Sequence, residues 1–183
     1  AWRLQGEAIF RGTFSSPRLP LLLPRGEGRA HQVWSLREHW LRKGGQDGFC
    51  LVAGERYGCG SARDWAAKGT LGLGIRLVLA RSFESIHRRN LIAAGILPVL
   101  RHSGDDHFWR DGMILEWVGD PQGTEVSGWW VTLGCEGRGE ERCVLRLRAD
   151  LQSHGEVDLW RKGGWWGALV GRGWEQTVSS HQS

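Results

Sequence analysis

The sequence predicts an α/β domain with a central βαβαβ unit and β-rich flanks, and three observations carry that prediction. Apolar runs at 49–53, 75–80 and 96–100 have the length of strands and alternate with stretches of helical periodicity. Those intervening stretches exceed the dozen or so residues that a crossover between parallel strands needs, and such crossovers are right-handed. Beyond residue 100 the pattern changes to short strand-like pieces broken by Gly-, Asp- and Glu-rich turns, as in antiparallel pairing.

Taken in order, Pro17, Pro20 and Pro24 make residues 1–30 an extended opening segment. Residues 33–43 carry Val33, Leu36, Trp40 and Leu41 at helical spacing, and Gly44-Gly45 ends that helix. The strand at 49–53 runs into a glycine-rich turn, after which Ser61 is expected to open a helix that Gly69 stops. The strand at 75–80 is followed by a helix at 82–94 with Ser82 as its cap and Gly95 just past its end. After the strand at 96–100, residues 113–118, 129–133 and 143–148 read as strands and 157–160 as another short one. Gly163-Gly164 is a break, 165–170 a short helix, and 175–183 a polar tail. At 183 residues the chain can bury the core of one domain, and 1–183 is read as a single unit.

Composition narrows the function. Hydrophobic residues at 40% and charged residues at 24% suit a globular chain, and no apolar run is long enough to span a membrane. Residues 1–14 carry charges throughout, unlike a secretory signal. A cytoplasmic or organelle-matrix setting with reduced thiols follows as the expectation, with disulfides the less favoured reading. The spacing of Cys50, Cys59, Cys135 and Cys143 matches neither a zinc pair nor an iron–sulfur run, so no metal is expected on this chain. The net charge of +4 is nearly all arginine, which grips carboxylates and phosphates bidentately. Its dispersal favours a solvated surface over a nucleic-acid footprint. The twelve tryptophans have no period and are read as core and interface filling.

The chemistry concentrates in Tyr57-Gly58-Cys59-Gly60-Ser61-Ala62-Arg63-Asp64. A strand-to-helix turn of this kind aims backbone N–H groups, including those of Gly60 and Ala62, at an anion, and the helix dipole adds positive potential. Ser61 and Arg63 add a hydroxyl and a fork of donors. From the octet alone, a plain N-cap in a tight turn is as good a reading. The segment is not a Walker loop, a dinucleotide fingerprint or a nucleophile elbow.

The run from Tyr57 through Asp64-Trp65-Ala66-Ala67-Lys68-Gly69, followed by Ser82-Phe83-Glu84-Ser85-Ile86-His87-Arg88-Arg89-Asn90-Leu91, resembles the C-terminal swivel domain of aconitases. The nearer match is the branch of bacterial aconitase A and the iron-regulatory proteins, with a likeness to LeuD-type small subunits. Gly12-Thr13-Phe14 and Glu156-Val157-Asp158-Leu159-Trp160-Arg161-Lys162-Gly163-Gly164 extend the resemblance to most of the chain. It implies a three-layer β/β/α swivel fold forming half of a cleft. It implies that Ser61 is the base that removes and returns a proton, and that Arg63 and Arg3 bind substrate carboxylates. The implied reaction is hydration and dehydration of citrate, cis-aconitate and isocitrate. The implied partners are cluster-bearing aconitase domains, whose [4Fe-4S] cluster no residue of this chain would ligate, and a di- or tricarboxylate substrate.

Two departures from the pattern bear on activity. Ala62 stands where the family has a second serine, and Leu4-Gln5 replaces a Gly-Asn pair beside Arg3. These keep two other readings open: a non-catalytic aconitase-like module that binds RNA or a protein, and a related dehydratase acting on methylcitrate. Cys59 is read as a tolerated small residue rather than a redox sensor, and His87 as structural. The loop with His102, Asp105, Asp106 and His107 is read as solvated. Arg88 and Arg89 are either a solvated helix face or ligands for an anion in the cleft. Trp129-Trp130 and Trp165-Trp166 are read as core or docking surface.

Overall fold

A computed structural model describes residues 49–102, 104, 108–109, 114–136 and 143–170. Three strands, β1 (Phe49–Val52), β2 (Ile75–Ala80) and β3 (Leu97–Leu100), pair in parallel, linked by helices α1 (Arg63–Gly72) and α2 (Ser85–Ala93). The antiparallel half follows as β4 (Ile114–Trp117), β5 (Gln122–Thr124), β6 (Gly128–Glu136) and β7 (Cys143–Ala149), and the described chain closes on α3 (His154–Arg161) and α4 (Gly164–Val170). One mixed sheet joins both halves in the order β1-β2-β3-β7-β6-β4, with β5 on β6. The predicted βαβαβ unit and β-rich flank are therefore both present.

Alternation along β2 assigns the layers. Val78 faces helices α1 and α2, with Ala67, Leu73, Leu91 and Ile96 around it. Leu77 and Leu79 face the other way, with Leu97 and Val99, onto Trp129, Val131, Leu133 and Leu147 of the curled antiparallel half. Helices, parallel strands and antiparallel strands thus form the β/β/α stack, and α3 seals its larger core with Val157 and Trp160.

Several local expectations are corrected. Helix α1 begins at Arg63 with Ala62 as an N-cap that makes no side-chain cap bond, so Ser61 does not cap it. It also runs past Gly69 to Gly72. Gly69 and Thr70 are buried, and the Thr70 hydroxyl donates back to the Ala66 carbonyl at 2.8 Å, so packing outweighs the ~1 kcal/mol helix cost of glycine. Helix α2 is capped by Glu84 instead of Ser82. The parallel bridge between Tyr57 and Phe83 keeps this segment extended, and the Ser82 hydroxyl accepts from the Arg56 N–H at 2.8 Å. The strand expected at 157–160 is the helix α3. Its readable signal was Ser153 three residues before Glu156, a capping-box spacing, with the Ser153 hydroxyl accepting from the Glu156 N–H. Cys135 is disulfide-bonded, against the expectation of reduced thiols, and the backbone opposite it in the β6–β7 ladder is Cys143. Cys50 and Cys59 are free.

The tryptophans divide. Trp129 and Trp160 fill the core as expected, Trp130 lies under the Arg146 guanidinium, and Trp165 and Trp166 of α4 are about 60% exposed. Gly95 has φ +76°, and a Cβ there would lie 2.7 Å from the backbone of Gly163. A Cβ on Gly164 would meet the Ala93 carbonyl at 2.2 Å. The end of α2 and the turn between α3 and α4 therefore touch backbone to backbone. The helix expected at 33–43, the opening segment 1–30 and the tail 175–183 lie outside the described residues.

Arg88 is not a solvated face residue. It is buried on α2, and its two terminal nitrogens donate to Glu156 at 2.9 and 2.7 Å, with a third bond to the Asp150 carbonyl at 2.7 Å. Glu156 also accepts from the Gln152 N–H at 2.8 Å. Removing one partner strands a buried charge, so Arg88→Ala or Glu156→Gln is expected to lower stability by about 3–5 kcal/mol in urea unfolding. The double change Arg88→Met with Glu156→Leu is expected to recover much of that loss, and strict additivity of the single effects would refute the pairing.

Candidate functional site

The site is built where β1 and β2 run out at their carboxyl ends. The Ala53 N–H donates to the Leu79 carbonyl at 2.7 Å, and the Arg81 N–H to the Gly54 carbonyl at 3.0 Å. Beyond them the Tyr57 N–H donates to the Ser82 carbonyl and the Glu84 N–H to the Tyr57 carbonyl, both at 2.9 Å. These bonds extend the parallel pairing past the sheet, so the loop leaves from a fixed platform. Arg101, at the end of β3, is buried and ties its Nε to the Ala53 carbonyl at 2.9 Å.

At Gly58 the chain turns up from this platform with φ +92°, and a Cβ there would lie 2.2 Å from the His87 ring. Only glycine meets both conditions. Cys59, Gly60, Ser61 and Ala62 then stand exposed, and the N–H groups of Gly60, Ser61 and Ala62 donate to no other described residue. The expected concentration of N–H groups, the Ser61 hydroxyl and the Arg63 side chain is thus on one exposed loop that opens a ten-residue helix.

Beneath the loop, α2 supplies two groups that sequence reading did not assign to the site. His87 is 1% exposed, and its Nδ1 lies 3.0 Å from the Arg63 carbonyl. A carbonyl only accepts, so Nδ1 carries the hydrogen. The Tyr57 ring packs edge-on at 5.3 Å, and burial is the main cause holding the imidazole below its ordinary pKa of 6.5. Glu84 Oε2 lies 3.6 Å from Arg63 Nε while accepting from the Ile86 and His87 N–H groups at 3.0 and 2.9 Å. Those bonds, the one from the His87 N–H foremost, keep its carboxyl below the usual range. No local pattern announces this role, since glutamate is not among the favoured N-cap residues and its approach to Arg63 exists only once α2 lies under the loop.

Cys59 is exposed, and Cys50 packs against the main core with burial pushing its thiol up to about 12, far from a nucleophile's range. Arg89 is exposed beside a groove of about 420 Å³ that α2, α3 and α4 line through Ile86, Asn90, Leu159 and Trp165. Arg3 lies outside the described residues, as do Asp105, Asp106 and His107. Among the described residues no group of His, Cys, Asp or Glu has a metal-holding arrangement, and no helix is long and apolar enough to cross a membrane.

Comparison with known proteins places relatives on this same segment. The aconitase C-terminal domain family matches residues 29–103. The chain is 35% identical over 170 residues to aconitate hydratase A of Thermus thermophilus, covering 86% of this chain and 18% of that protein. It is 42% identical over 108 residues to phosphinomethylmalate isomerase of Streptomyces viridochromogenes, covering 54% of this chain and 12% of the relative. The chain therefore spans less than a fifth of the length of these relatives. Among solved structures, a 3-isopropylmalate dehydratase chain (leuD) of Methanocaldococcus jannaschii aligns with a TM-score of 0.44 and 22% identity over 82% of this chain and 84% of that one.

The buried imidazole gives the site a pH signature. In the unfolded chain His87 takes a proton near its ordinary 6.5, whereas the fold keeps it neutral to lower pH. The unfolded state therefore binds more protons below that value, and stability falls as pH drops from 6.5 towards the folded pKa. His87→Asn keeps an N–H donor for the Arg63 carbonyl but has nothing to titrate. Between pH 7.5 and 5 its urea midpoint is expected to fall less steeply than that of the unaltered protein; parallel curves would show that His87 does not contribute.

Proposed function

We propose, from the match of residues 29–103 to the aconitase C-terminal domain family, that the chain supplies the serine-and-arginine half of a cleft in an aconitase-like hydro-lyase. The observation that carries this reading is the pairing of an exposed Ser61 hydroxyl with an Arg63 whose backbone and side chain are both held from below, by His87 and Glu84. Arg63 binds a carboxylate of a di- or tricarboxylic acid. Ser61, as its alkoxide, takes the proton from the carbon next to that carboxylate and returns it on hydration. The N–H groups of Gly60 and Ala62 and the N-terminus of α1 stabilise the negative charge that moves between substrate and serine. Arg3 is assigned a second carboxylate by the same family pattern.

A hydroxyl in open water is too weak a base for this step, so partner domains must cover the loop for Ser61 to act. By the same family pattern, those domains also carry the [4Fe-4S] cluster. Citrate, cis-aconitate and isocitrate are the substrates that aconitate hydratase relatives favour. Relatives named for other acids leave methylcitrate or a similar substrate as the alternative within the same chemistry.

One observation favours a second reading. Ala62 presents no hydroxyl beside Ser61 on the exposed loop, and a module that binds RNA or protein without turnover would have no need of one. The cluster-loaded parent protein decides between the two by following cis-aconitate absorbance. Ser61→Ala is expected to lower kcat by about 10²–10⁴-fold, and Ala62→Ser to leave turnover equal or raised. Absence of turnover in the unaltered protein with its cluster intact, together with RNA affinity that falls steeply with salt, would establish the binding module instead.

A further inference from the structure

We infer that Glu84 is a positioning residue that decides which edge of the Arg63 guanidinium a substrate carboxylate meets; this rests on the reading of Arg63 as the carboxylate ligand. A guanidinium can offer a carboxylate two N–H groups from its side edge, Nε with one terminal nitrogen, or from its end edge, the two terminal nitrogens. In this structure the side edge is closed. Arg63 Nε is buried and has no hydrogen-bond partner, and the atom facing it is Glu84 Oε2 at 3.6 Å. The rest of the Arg63 side chain is partly exposed. The end edge is what remains for a ligand.

Glu84 cannot swing away to release the side edge. The same Oε2 accepts from the Ile86 and His87 N–H groups at 3.0 and 2.9 Å, and Oε1 accepts from the Ser85 hydroxyl at 3.4 Å. It is also the N-cap of α2, the helix whose next residues hold the Arg63 carbonyl through His87 and the antiparallel half through Arg88. One carboxylate therefore fixes a helix start and a guanidinium together. Its negative charge offsets the positive charge of Arg63, so an anion is gripped by the aligned end-on fork more than by net charge.

Glu84→Gln separates the two roles in the cluster-loaded parent protein, because glutamine keeps an acceptor for the helix cap and loses the charge toward Arg63. The KM for cis-aconitate is expected to rise about tenfold with kcat changed much less. In an Arg63→Lys background the same change is expected to have no further effect on KM. Glu84→Asp keeps a strong cap and charge, drawn back by one methylene from Nε, and is expected to give an intermediate KM with an unaltered melting temperature. A KM within twofold of the unaltered protein for both variants, or effects of Glu84→Gln and Arg63→Lys that simply multiply, would overturn the assignment. If Arg63→Lys by itself leaves KM unchanged, the carboxylate-binding reading of Arg63 fails, and the role of Glu84 falls with it.

Discussion

The bidentate pair between Arg88 and Glu156 fixes the arrangement on which the rest depends. Among the described residues the parallel half of the sheet meets the antiparallel half through β3 and β7, where Val99 pairs with Ala149 and Leu100 with Arg148. So short a seam leaves the curl of the sheet underdetermined by backbone pairing. Arg88 closes it from the helical side: it reaches from α2 across to Glu156 at the start of α3 and to the Asp150 carbonyl just past β7. Burial alone would raise the Glu156 pKa, but the Arg88 and Gln152 hydrogen bonds and the arginine charges outweigh it and hold the carboxylate ionised.

Helix α2 divides its polar residues between structure and site. Glu84, His87 and Arg88 lie within five positions, and their partners lie on two other helices: the Arg63 side chain and carbonyl on α1 and Glu156 on α3. The site loop is therefore referenced to the same helix that locks the two halves of the sheet. A displacement of α2 would move the loop and the core together, which accounts for polar groups so deep in a small domain. Such groups are costly to bury unless each is satisfied, and the Arg63 carbonyl and Arg88 have hydrogen-bond partners while Arg63 Nε has only the Glu84 charge at 3.6 Å.

Much of this was legible in the sequence, and what was not has a common cause. Periodicity located β1, β2, β3 and both crossover helices, because their apolar positions repeat at strand or helix spacing over enough residues to be unambiguous. Gly95 and Gly163-Gly164 marked the right breaks. The errors fell at ends and in short elements, where tertiary contacts decide. Ser82 looked like a cap, but pairing of Tyr57 with Phe83 extends the chain past it to Glu84. Residues 157–160 hold three apolar residues in four, like a short strand, yet Val157 and Trp160 are the buried stripe of α3. In the site, Ser61 and Arg63 could be picked out by their motif. Glu84 and His87 could not, since nothing local says that α2 will lie under the loop. The disulfide at Cys135 is not legible in composition, which speaks only to compartment, whereas the antiparallel register opposite Cys143 is a property of the fold.

The exposure of Ser61 is itself an argument about how such a domain works. A serine alkoxide needs a desolvated surrounding with donors already aimed at it, and the loop has the donors but is open to water. Everything that can be fixed in advance is fixed: Gly58 is locked against His87, the Arg63 carbonyl and Nε are held, and the parallel platform extends to Glu84. Among the described residues no wall over the loop excludes water. On the proposed reading, a wall built rigidly over the loop would leave a tricarboxylate unable to enter or leave a cleft tight enough to strip the hydroxyl of its solvent. Dividing such a site between a rigid half that carries the base and a second half that closes over it would let water be excluded during proton transfer and readmitted for exchange. On that logic the rigidity beneath the loop and the openness above it are one design.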